Sequence, residues 1–291
     1  MQDQVPVKKI HLFVNPTNLL SKEVVEIAQR CAGIWDIETH IIHDGEKIEE
    51  NEMIATVGGD GTMIRALRQY PNNPIWGINL GTLGFLTETE ANQGAILDMM
   101  HCLSLGDYTL ESCYSLHYTV KRPKKNSNPL SDDSDRYEIV KRGSAINDVV
   151  IARNSALDGI NFSVRVNGHV VNRCFADAYV VASPVGSSAY ALSGGGPLVE
   201  PTSDVLVLCA IAPHTLSNRS IVIDGESTVS IVIERMRSPE VEAIVCADGT
   251  DKFSLKPYDV IEVEQNWEGG PNFVRSNDSR FFDRVARRMA K

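Results

Sequence analysis

The stretch MIATVGGDGT, residues 53–62, decides how the first part of the chain folds. The apolar run 53–57 predicts a short buried strand, and an apolar helical pattern starts directly after the glycines. A strand, a glycine turn and a helix in this order place backbone N–H groups and a helix N-terminus where an anion can bind. Glycine also lets a ligand approach the backbone closely. Taken alone, the motif equally allows a tight turn in which Asp60 caps the helix.

Strand-like and helix-like patterns alternate through the first hundred residues around this stretch. Apolar runs predict four strands, and helical spacing of apolar residues predicts three helices. Such alternation is typical of a parallel sheet covered by helices. The predicted strands are 9–14, 37–42, 53–57 and 75–78, and the predicted helices are 21–32, 62–70 and 91–103.

The pattern changes to short β-rich runs from about Leu110 to Val263. Several runs alternate polar and apolar residues, and turns such as Asn167-Gly168 and Asp224-Gly225 between them fit hairpins. The polar segment 122–136 is interpreted as a mobile hairpin loop. The tail carries four apolar residues on one predicted helical face, which we expect to pack on a domain: Phe281, Phe282, Val285 and Met289.

These patterns predict an α/β plus all-β fold. The first part is a Rossmann-like domain with an open parallel sheet, expected to span residues 1–108. An antiparallel β-rich, sandwich-like domain follows and is expected to span residues 109–274. The tail, 275–291, is expected to join the first domain, with its C-terminal helix packing back on it.

Composition limits the possible partners and compartment. The 291 residues carry a formal net charge of −10, which disfavours general binding to a phosphate backbone. No stretch approaches the roughly 20 apolar residues that cross a bilayer, and no signal peptide is evident at the N-terminus. The six cysteines form no CxxC pair, which indicates reduced, mostly buried thiols. We therefore expect a cytoplasmic protein with no nucleic-acid or membrane partner.

A second glycine-rich turn follows the fourth predicted strand, in the stretch GINLGTLGFLTE at residues 77–88. Two such loops at the carboxyl ends of neighbouring parallel strands face the crevice where open α/β sheets bind ligands. The Walker A pattern and the GxGxxG pattern are both absent, so neither a P-loop nor an ordinary dinucleotide-binding fold is predicted.

The two glycine segments together resemble the NAD kinase family. The glycine-Asp-glycine element alone also occurs in other kinases, but the block at 77–88 is more particular to this family. The resemblance extends over roughly residues 53 to 263 and covers further blocks: AINDVVI at 145–151, FADAYVVASPVGSSAYALSGGGPLVEP at 175–201, IAPHTLSNRSIVI at 211–223 and VCADGT at 245–250.

The resemblance implies an enzyme that transfers a phosphoryl group from ATP, or polyphosphate, to the 2′-hydroxyl of the adenosine ribose of NAD, making NADP. A secondary hydroxyl needs a nearby base at neutral pH, and Asp60, between glycines, suits that role. The remaining residues expected around the phosphates are Gly58, Gly59, Gly61, Thr62 and Arg65. The residues expected to bind NAD are Phe85, Asn147, Asp148, Asp177, Ser188, Ala189, Tyr190 and Ser193.

Some of these assignments have structural alternatives. Asn147 and Asp148 would also suit a turn at a strand start, and the Tyr190 ring would also suit core packing. Asp177 matches a family residue near the nicotinamide, a contact that crosses a subunit interface in many members. The chain has Ala178 where the family commonly has glycine and Val185 where it has threonine. An alanine at 178 is a problem only if its φ is positive.

The remaining expectations concern metal, assembly and alternatives. The seven histidines do not have the spacing of metal ligands, so no metal ion bound by the protein itself is predicted. We expect Mg²⁺ or another divalent cation to arrive with ATP. The family resemblance implies a homodimer or homotetramer. Two other functions stay open: a lipid or other small-alcohol kinase of the same superfamily, and a catalytically silent NAD(P)-binding sensor.

Overall fold

The chain divides into two compact units in the computed structural model. Unit 1 comprises Met1–Cys113 and Gly269–Lys291, and unit 2 comprises Tyr114–Glu268. The sequence placed the corresponding boundaries after residues 108 and 274. The structure describes residues 4–43, 45–81, 84–124, 136–154, 159–215, 218–234, 242–277 and 280–290. Most of the predicted mobile loop, 122–136, therefore lies outside the described residues.

The strands are β1 (Lys9–Val14), β2 (Glu38–Ile41), β3 (Met53–Gly58), β4 (Pro74–Asn79), β5 (Thr89–Glu90), β6 (Tyr108–Ser112), β7 (Ser115–Pro123), β8 (Tyr137–Ala145), β9 (Asp148–Arg153), β10 (Ile160–Val166), β11 (His169–Ala176), β12 (Ala178–Ala182), β13 (Val205–Ile211), β14 (Ile221–Asp224), β15 (Val229–Ile233), β16 (Ala243–Ala247), β17 (Thr250–Leu255), β18 (Val260–Asn266) and β19 (Asn272–Ser276). The α-helices are α1 (Ser21–Ile34), α2 (Asp60–Gln69), α3 (Gln93–Leu105), α4 (Tyr190–Ser193) and α5 (Phe281–Met289), and a 3-10 helix spans Val185–Ser188.

Unit 1 is built on one mixed sheet with the strand order β2-β1-β3-β4-β19-β6, and β5 pairs with the end of β4. The pairs β1–β2, β1–β3, β3–β4 and β4–β19 are parallel, whereas β6 runs antiparallel to β19. Every residue of β3 is buried, as expected for a central strand covered on both faces. Strand β19 comes from the C-terminal segment, so the end of the chain completes the sheet of the first unit.

Unit 2 contains two antiparallel six-stranded sheets, ordered β11-β10-β15-β18-β7-β8 and β14-β13-β12-β9-β16-β17. Alternate residues of both sheets share one apolar core. Phe162 of the first sheet and Tyr179 of the second illustrate this, because their ring centroids lie 5.8 Å apart. The predicted α/β plus sandwich-like fold class is confirmed.

Two local predictions have different outcomes in unit 2. Asn167 and Gly168 have φ angles of 50° and 81° between the paired strands β10 and β11, so they form the predicted hairpin turn. The prediction of a hairpin at Asp224-Gly225 is wrong, since β14 and β15 on either side belong to different sheets. The turn there carries the chain from one sheet to the other.

The C-terminal helix α5 belongs to unit 1, but it does not bury the predicted face. Phe281 and Arg284 are buried, whereas Phe282 and Met289 are 67% and 75% exposed. Helix α5 docks instead through Phe281 and through Arg284, which pairs with the mostly buried carboxylate of Glu111 in unit 1. The described residues include no helix that is long and apolar enough to cross a membrane.

Candidate active site

The two glycine segments leave the sheet of unit 1 at the same edge. Strands β3 and β4 are parallel neighbours, with Gly58 opposite Asn79, so their carboxyl ends lie side by side. Helix α2 begins at Asp60, two residues earlier than predicted, and Gly59 is its N-cap. The backbone N–H groups of Thr62 and Met63 both donate to Gly59 O, which closes the first turn.

The carboxylate of Asp60 is held by the second glycine segment. Among the described residues, Oδ1 accepts from Leu86 N at 3.3 Å, Thr87 N at 3.1 Å and Thr87 Oγ1 at 3.1 Å. Oδ2 accepts one hydrogen bond in the same part of the chain, from Phe85 N at 2.8 Å. Asp60 is the first residue of α2 and its side chain bonds to the other loop. The alternative that Asp60 caps the helix is therefore wrong.

Close packing explains two glycines around this carboxylate. A Cβ at Gly84 would lie 2.0 Å from Asp60 Oδ1, and a Cβ at Gly58 would lie 2.2 Å from Thr62 Oγ1. Any side chain at either position would displace its neighbour. Thr62, in the first turn of α2, is itself buried.

The other two glycines of the motif have no such packing role. Gly59 and Gly61 do not have positive φ angles, and no described atom lies within 4 Å of a Cβ built on either. The protein backbone alone therefore does not require glycine at 59 or 61. Their missing side chains leave room at the N-terminus of α2, where backbone N–H groups favour an anion.

Two further predicted residues lie on this unit with aromatic–cation contacts. The exposed Arg65 places its guanidinium 5.4 Å from the centroid of the Phe13 ring. Phe85 is half-buried, and the guanidinium of Arg288 on α5 lies 6.0 Å from its ring centroid.

In unit 2, the predicted NAD-binding residues gather at one edge of the second sheet. Strand β9 runs antiparallel to both neighbours, so its first residue, Asp148, lies beside the last residues of β12 and β16. Asp148 pairs with Ala182, and the next residue pairs with Ala247. The sheet therefore brings together segments 146–148, 183–190 and 248–249.

Asp248 holds the turn that carries Asn147 and Asp148. Its Oδ1 accepts from the backbone N–H groups of Ile146, Asn147 and Asp148 at 3.1, 2.7 and 3.3 Å, and its Oδ2 accepts from Ile146 at 2.9 Å. In return, Asp248 N–H donates to Asp148 O at 3.1 Å. Asp248 has a φ of 50°, a left-handed conformation that aspartate tolerates.

The segment after β12 fixes the same turn from the other side. Ser183 N–H donates to Asn147 O at 2.9 Å, and Ser183 Oγ donates to Ile146 O at 2.6 Å. A Cβ at Gly186 would lie 1.9 Å from Asn147 O, so this glycine is required by close approach. Asn147 and Asp148 are thus fixed by contacts from two other segments of the chain, which an ordinary turn at a strand start does not require.

Burial perturbs two polar groups in this cluster, Asp148 and Asn147. Burial, reinforced by the neighbouring Asp248 carboxylate, raises the pKa of Asp148 to about 7, although the Tyr190 backbone N–H donates to it. Asn147 Oδ1 is buried and has no hydrogen-bond partner within the part of the chain that the structure describes. A buried amide oxygen without a donor costs free energy, which a ligand N–H group would recover.

The segment 188–193 presents the remaining predicted residues. Tyr190 opens α4 and is 43% exposed, so the alternative that its ring packs in the core is wrong. Ser188 Oγ donates to Val185 O at 3.2 Å, Ala189 is half-buried and Ser193 is exposed. The backbone N–H of Tyr190 contacts the Asp148 carboxyl, and its exposed side chain offers an aromatic face for stacking.

Asp177 lies apart from this cluster. It precedes β12, whereas Ser183 follows β12, so the two are at opposite edges of the sheet. Its carboxylate pairs with Arg153 Nη2 at 2.8 Å, and both side chains are partly exposed. The substitution Ala178 causes no backbone strain, because its φ is not positive.

Sequence reasoning missed two residues that organise these sites, Asp248 and Gly84. Asp248 was visible as an Asp-Gly turn after a strand, and Gly84 as part of the second glycine segment. Neither signal shows which distant residue the side chain or the missing Cβ would contact. The described residues contain no group of three or more His, Cys, Asp or Glu that could hold a metal ion.

The chain thus combines a glycine-rich strand-to-helix turn that carries one fixed carboxylate with a sandwich of antiparallel sheets that carries a polar cluster. Residues 10–108 match the sequence model of the ATP-NAD kinase N-terminal domain, and residues 146–275 match that of the ATP-NAD kinase C-terminal domain. The NAD kinase of Natranaerobius thermophilus is 31% identical over 268 residues, which cover 86% of this chain and 87% of that protein. The chain belongs to the NAD kinase family and is an enzyme.

Solved structures show the same fold. The yeast NADH kinase complexed with NADH superposes with a TM-score of 0.78 at 20% identity, covering 99% of this chain and 89% of that chain. An NAD kinase from Archaeoglobus fulgidus in complex with ATP gives a TM-score of 0.73 at 23% identity, covering 97% and 99%.

Proposed function

We propose that this enzyme transfers the γ-phosphoryl group of ATP to the 2′-hydroxyl of the adenosine ribose of NAD, with Asp60 as the general base. The observation that carries the proposal is the Asp60 carboxylate, fixed by Phe85, Leu86 and Thr87 beside open space at Gly59 and Gly61. Family membership supports the overall reaction, and the ATP and NADH complexes of the two solved relatives support these substrate classes.

The hydrogen bonds of Asp60 leave it one place for a ribose hydroxyl. A carboxylate oxygen has about two lone-pair directions. Among the described residues, three donors surround Oδ1, whereas Oδ2 receives one. The 2′-hydroxyl would donate to Oδ2 and pass its proton there. The ribose oxygen then bonds to the γ-phosphorus, and the bond from that phosphorus to the β–γ bridging oxygen breaks, releasing ADP.

The phosphates are assigned to the start of α2. Gly58, Gly59, Gly61 and Thr62 line this turn, and backbone N–H groups at a helix N-terminus stabilise negative charge. Arg65 lies one turn further on and is exposed, so its guanidinium is available to a phosphate.

The divalent cation is part of the proposal as a companion of ATP. Within the described ranges, no cluster of ligating side chains fits a protein-held ion. Mg²⁺ commonly keeps several waters and binds substrate phosphates. We therefore assign the ion to the phosphates and water, and none of the steps above depends on it.

The polar cluster of unit 2 is assigned to NAD. The unpartnered Asn147 Oδ1 suits the amino group of adenine, and Asp148 suits ribose hydroxyls. Tyr190 would stack on the adenine ring. The remaining assigned contacts come from Phe85, Ser188, Ala189 and Ser193, with Asp177 at the nicotinamide end. This ribose-type recognition favours NAD over the lipid-kinase alternative, which would need an apolar entry path.

Assembly and compartment complete the proposal. The separation of Asp177 from the Asp148 cluster fits the family pattern in which this contact comes from a second subunit, so we propose a homodimer or homotetramer. Five of the six cysteines are buried, which fits the reducing cytoplasm.

The test is an assay for NADP, with NAD or NADH as acceptor and ATP or polyphosphate as donor. Asp60→Asn is expected to fold but to lose about 10²- to 10⁴-fold in kcat, the usual contribution of a general base. The matched control, Asp98→Asn on the exposed face of α3, should keep wild-type kinetics. Wild-type turnover by Asp60→Asn would disprove the base assignment. Absence of product from the wild type in every combination, with NAD still bound, would support the sensor instead.

A further inference from the structure

A buried cluster of four charged residues in unit 1 connects the C-terminal segment to the loop that holds Asp60. Its members are Glu88, Glu111, Arg275 and Arg284, whose side chains are 11%, 16%, 2% and 3% exposed. Two cations and two anions balance in charge. Arg275 is the last residue matched by the family sequence models, and Arg284 on α5 lies beyond it.

Arg275 is at the centre of this cluster and uses its whole guanidinium. Its Nη1 donates to Leu86 O at 2.6 Å, and its Nε and Nη2 donate to Glu111 Oε1 at 3.2 and 2.9 Å. Glu88 Oε2 lies 3.7 Å from Nη1. The planar fork of arginine can satisfy these directions together, whereas the single ammonium of lysine cannot.

The Leu86–Thr87 peptide links Arg275 directly to Asp60. The oxygen of this peptide, Leu86 O, accepts from Arg275, and its N–H, Thr87 N, donates to Asp60 Oδ1 at 3.1 Å. A trans peptide is planar and directs its C=O and N–H to opposite sides. Rotation of this plane would therefore weaken both hydrogen bonds at once, so the position of Arg275 bears on the position of the carboxylate.

Helix α5 holds the far side of the cluster. Arg284 Nη2 lies 3.2 Å from Glu111 Oε2, the carboxylate that also binds Arg275. Burial alone would raise the pKa of Glu111, but the two arginines more than offset it and leave that pKa lowered. Glu111 is thus kept charged between Arg275 and Arg284. Glu88 also connects this loop to the C-terminal segment, since its Oε1 accepts from Ser276 N at 3.1 Å and from Ser276 Oγ at 2.7 Å.

We propose that Arg275 is a positioning residue for Asp60, acting through the Leu86–Thr87 peptide, and that α5 fixes Arg275 through Glu111. The C-terminal segment is then a working part of the catalytic unit. This inference rests on the proposed role of Asp60 as the base.

The first test is Arg275→Lys, which keeps the charge of the cluster but loses the fork. Displacement of a catalytic group by about 1 Å can cost roughly 100-fold in rate, so we expect kcat to fall about 10- to 100-fold. The KM values for NAD and ATP should stay within about twofold of wild type, since the ground-state binding residues are untouched.

The decisive test combines Arg275→Lys with Asp60→Asn. If Arg275 acts through Asp60, Arg275→Lys should cost little further kcat, within about twofold, once the base is gone. An equal fall of kcat in both backgrounds, or an unchanged kcat in Arg275→Lys alone, would overturn the inference. Failure of the wild type to make NADP is a separate outcome, which disproves the proposed function itself.

A matched control comes from unit 2. Arg122 binds the fully buried Asp259 through Nε at 2.9 Å and Nη2 at 2.7 Å, so it is also a two-pronged arginine–carboxylate pair. Arg122→Lys should lower resistance to urea and leave kcat unchanged. If Arg275→Lys fails to fold, Arg284→Lys takes its place in the same double-variant test, with the same non-additivity expected and the same additive result refuting the inference.

Discussion

Replacing Asp148 by asparagine is expected to stabilise the protein at pH 8 much more than at pH 5. Asp148 is 4% exposed, and burial together with the Asp248 carboxylate raises the pKa of its carboxyl to about 7 from an ordinary 3.8. Asparagine has nearly the same shape and no charge. It can still accept from the Tyr190 backbone N–H.

Proton linkage gives the size and the sign of the pH dependence of the free energy of unfolding. Between pH 3.8 and about 7 the unfolded chain has lost the Asp148 proton while the folded chain still holds it. The folded state therefore binds more protons, and each pH unit gained in this window lowers the free energy of unfolding by about 1.4 kcal/mol. The whole window is worth about 4 kcal/mol, of which about 3 kcal/mol lies between pH 5 and pH 8.

Urea denaturation of the wild type and Asp148→Asn at pH 5, 6, 7 and 8, followed by circular dichroism, measures this difference. The free energy of unfolding of the variant, relative to that of the wild type, should rise by about 3 kcal/mol from pH 5 to pH 8. Titrating groups that do not contact Asp148, such as Glu111 with its lowered pKa, are present in both proteins and cancel in the comparison.

A matched control is Asp177→Asn, which removes a partly exposed carboxylate paired with Arg153. Such a pair is worth at most about 1 kcal/mol, so the control should shift stability by no more than that at any pH. If the difference in free energy of unfolding between Asp148→Asn and the wild type stays constant or shrinks from pH 5 to pH 8, ionisation of the buried Asp148 does not destabilise the protein and the argument is refuted.

Two further substitutions test the site. Gly84→Ala should lower kcat by about tenfold or more, because its Cβ would lie 2.0 Å from Asp60 Oδ1 and displace the base. Steady-state rates at saturating substrate measure kcat, and an unchanged kcat would contradict this prediction. Tyr190→Ala should raise the KM for NAD about 10- to 100-fold, the usual contribution of stacking on a base, while Tyr190→Phe should keep the KM of the wild type. Because Tyr190 is 43% exposed, the melting temperature should change little, and an unchanged KM in the alanine variant would exclude stacking.

Local sequence patterns predicted much of unit 1, because its strands and helices are regular and are recognised from residues that are close together in the chain. The run at 53–57 anticipated β3, and the two glycine segments anticipated loops at the ends of neighbouring parallel strands. Strand β19 was missed, since its five residues show no distinctive period and gain their place only by pairing with β4 and β6. The helix-cap alternative for Asp60 also failed for a non-local reason, because its donors lie 25 to 27 residues away.

The amino-acid sequence by itself determined the class of fold, the glycine-Asp-glycine turn, and the candidate residues Asn147, Asp148 and Tyr190. Tertiary structure alone decided what these groups contact. Asp248 reaches a turn about a hundred residues earlier, and Arg275 reaches Leu86 across 189 residues. The physical reason is that periodicity reports which face of an element is buried, whereas hydrogen bonds and desolvation depend on atoms that only the folded chain brings within 3 Å or so of each other.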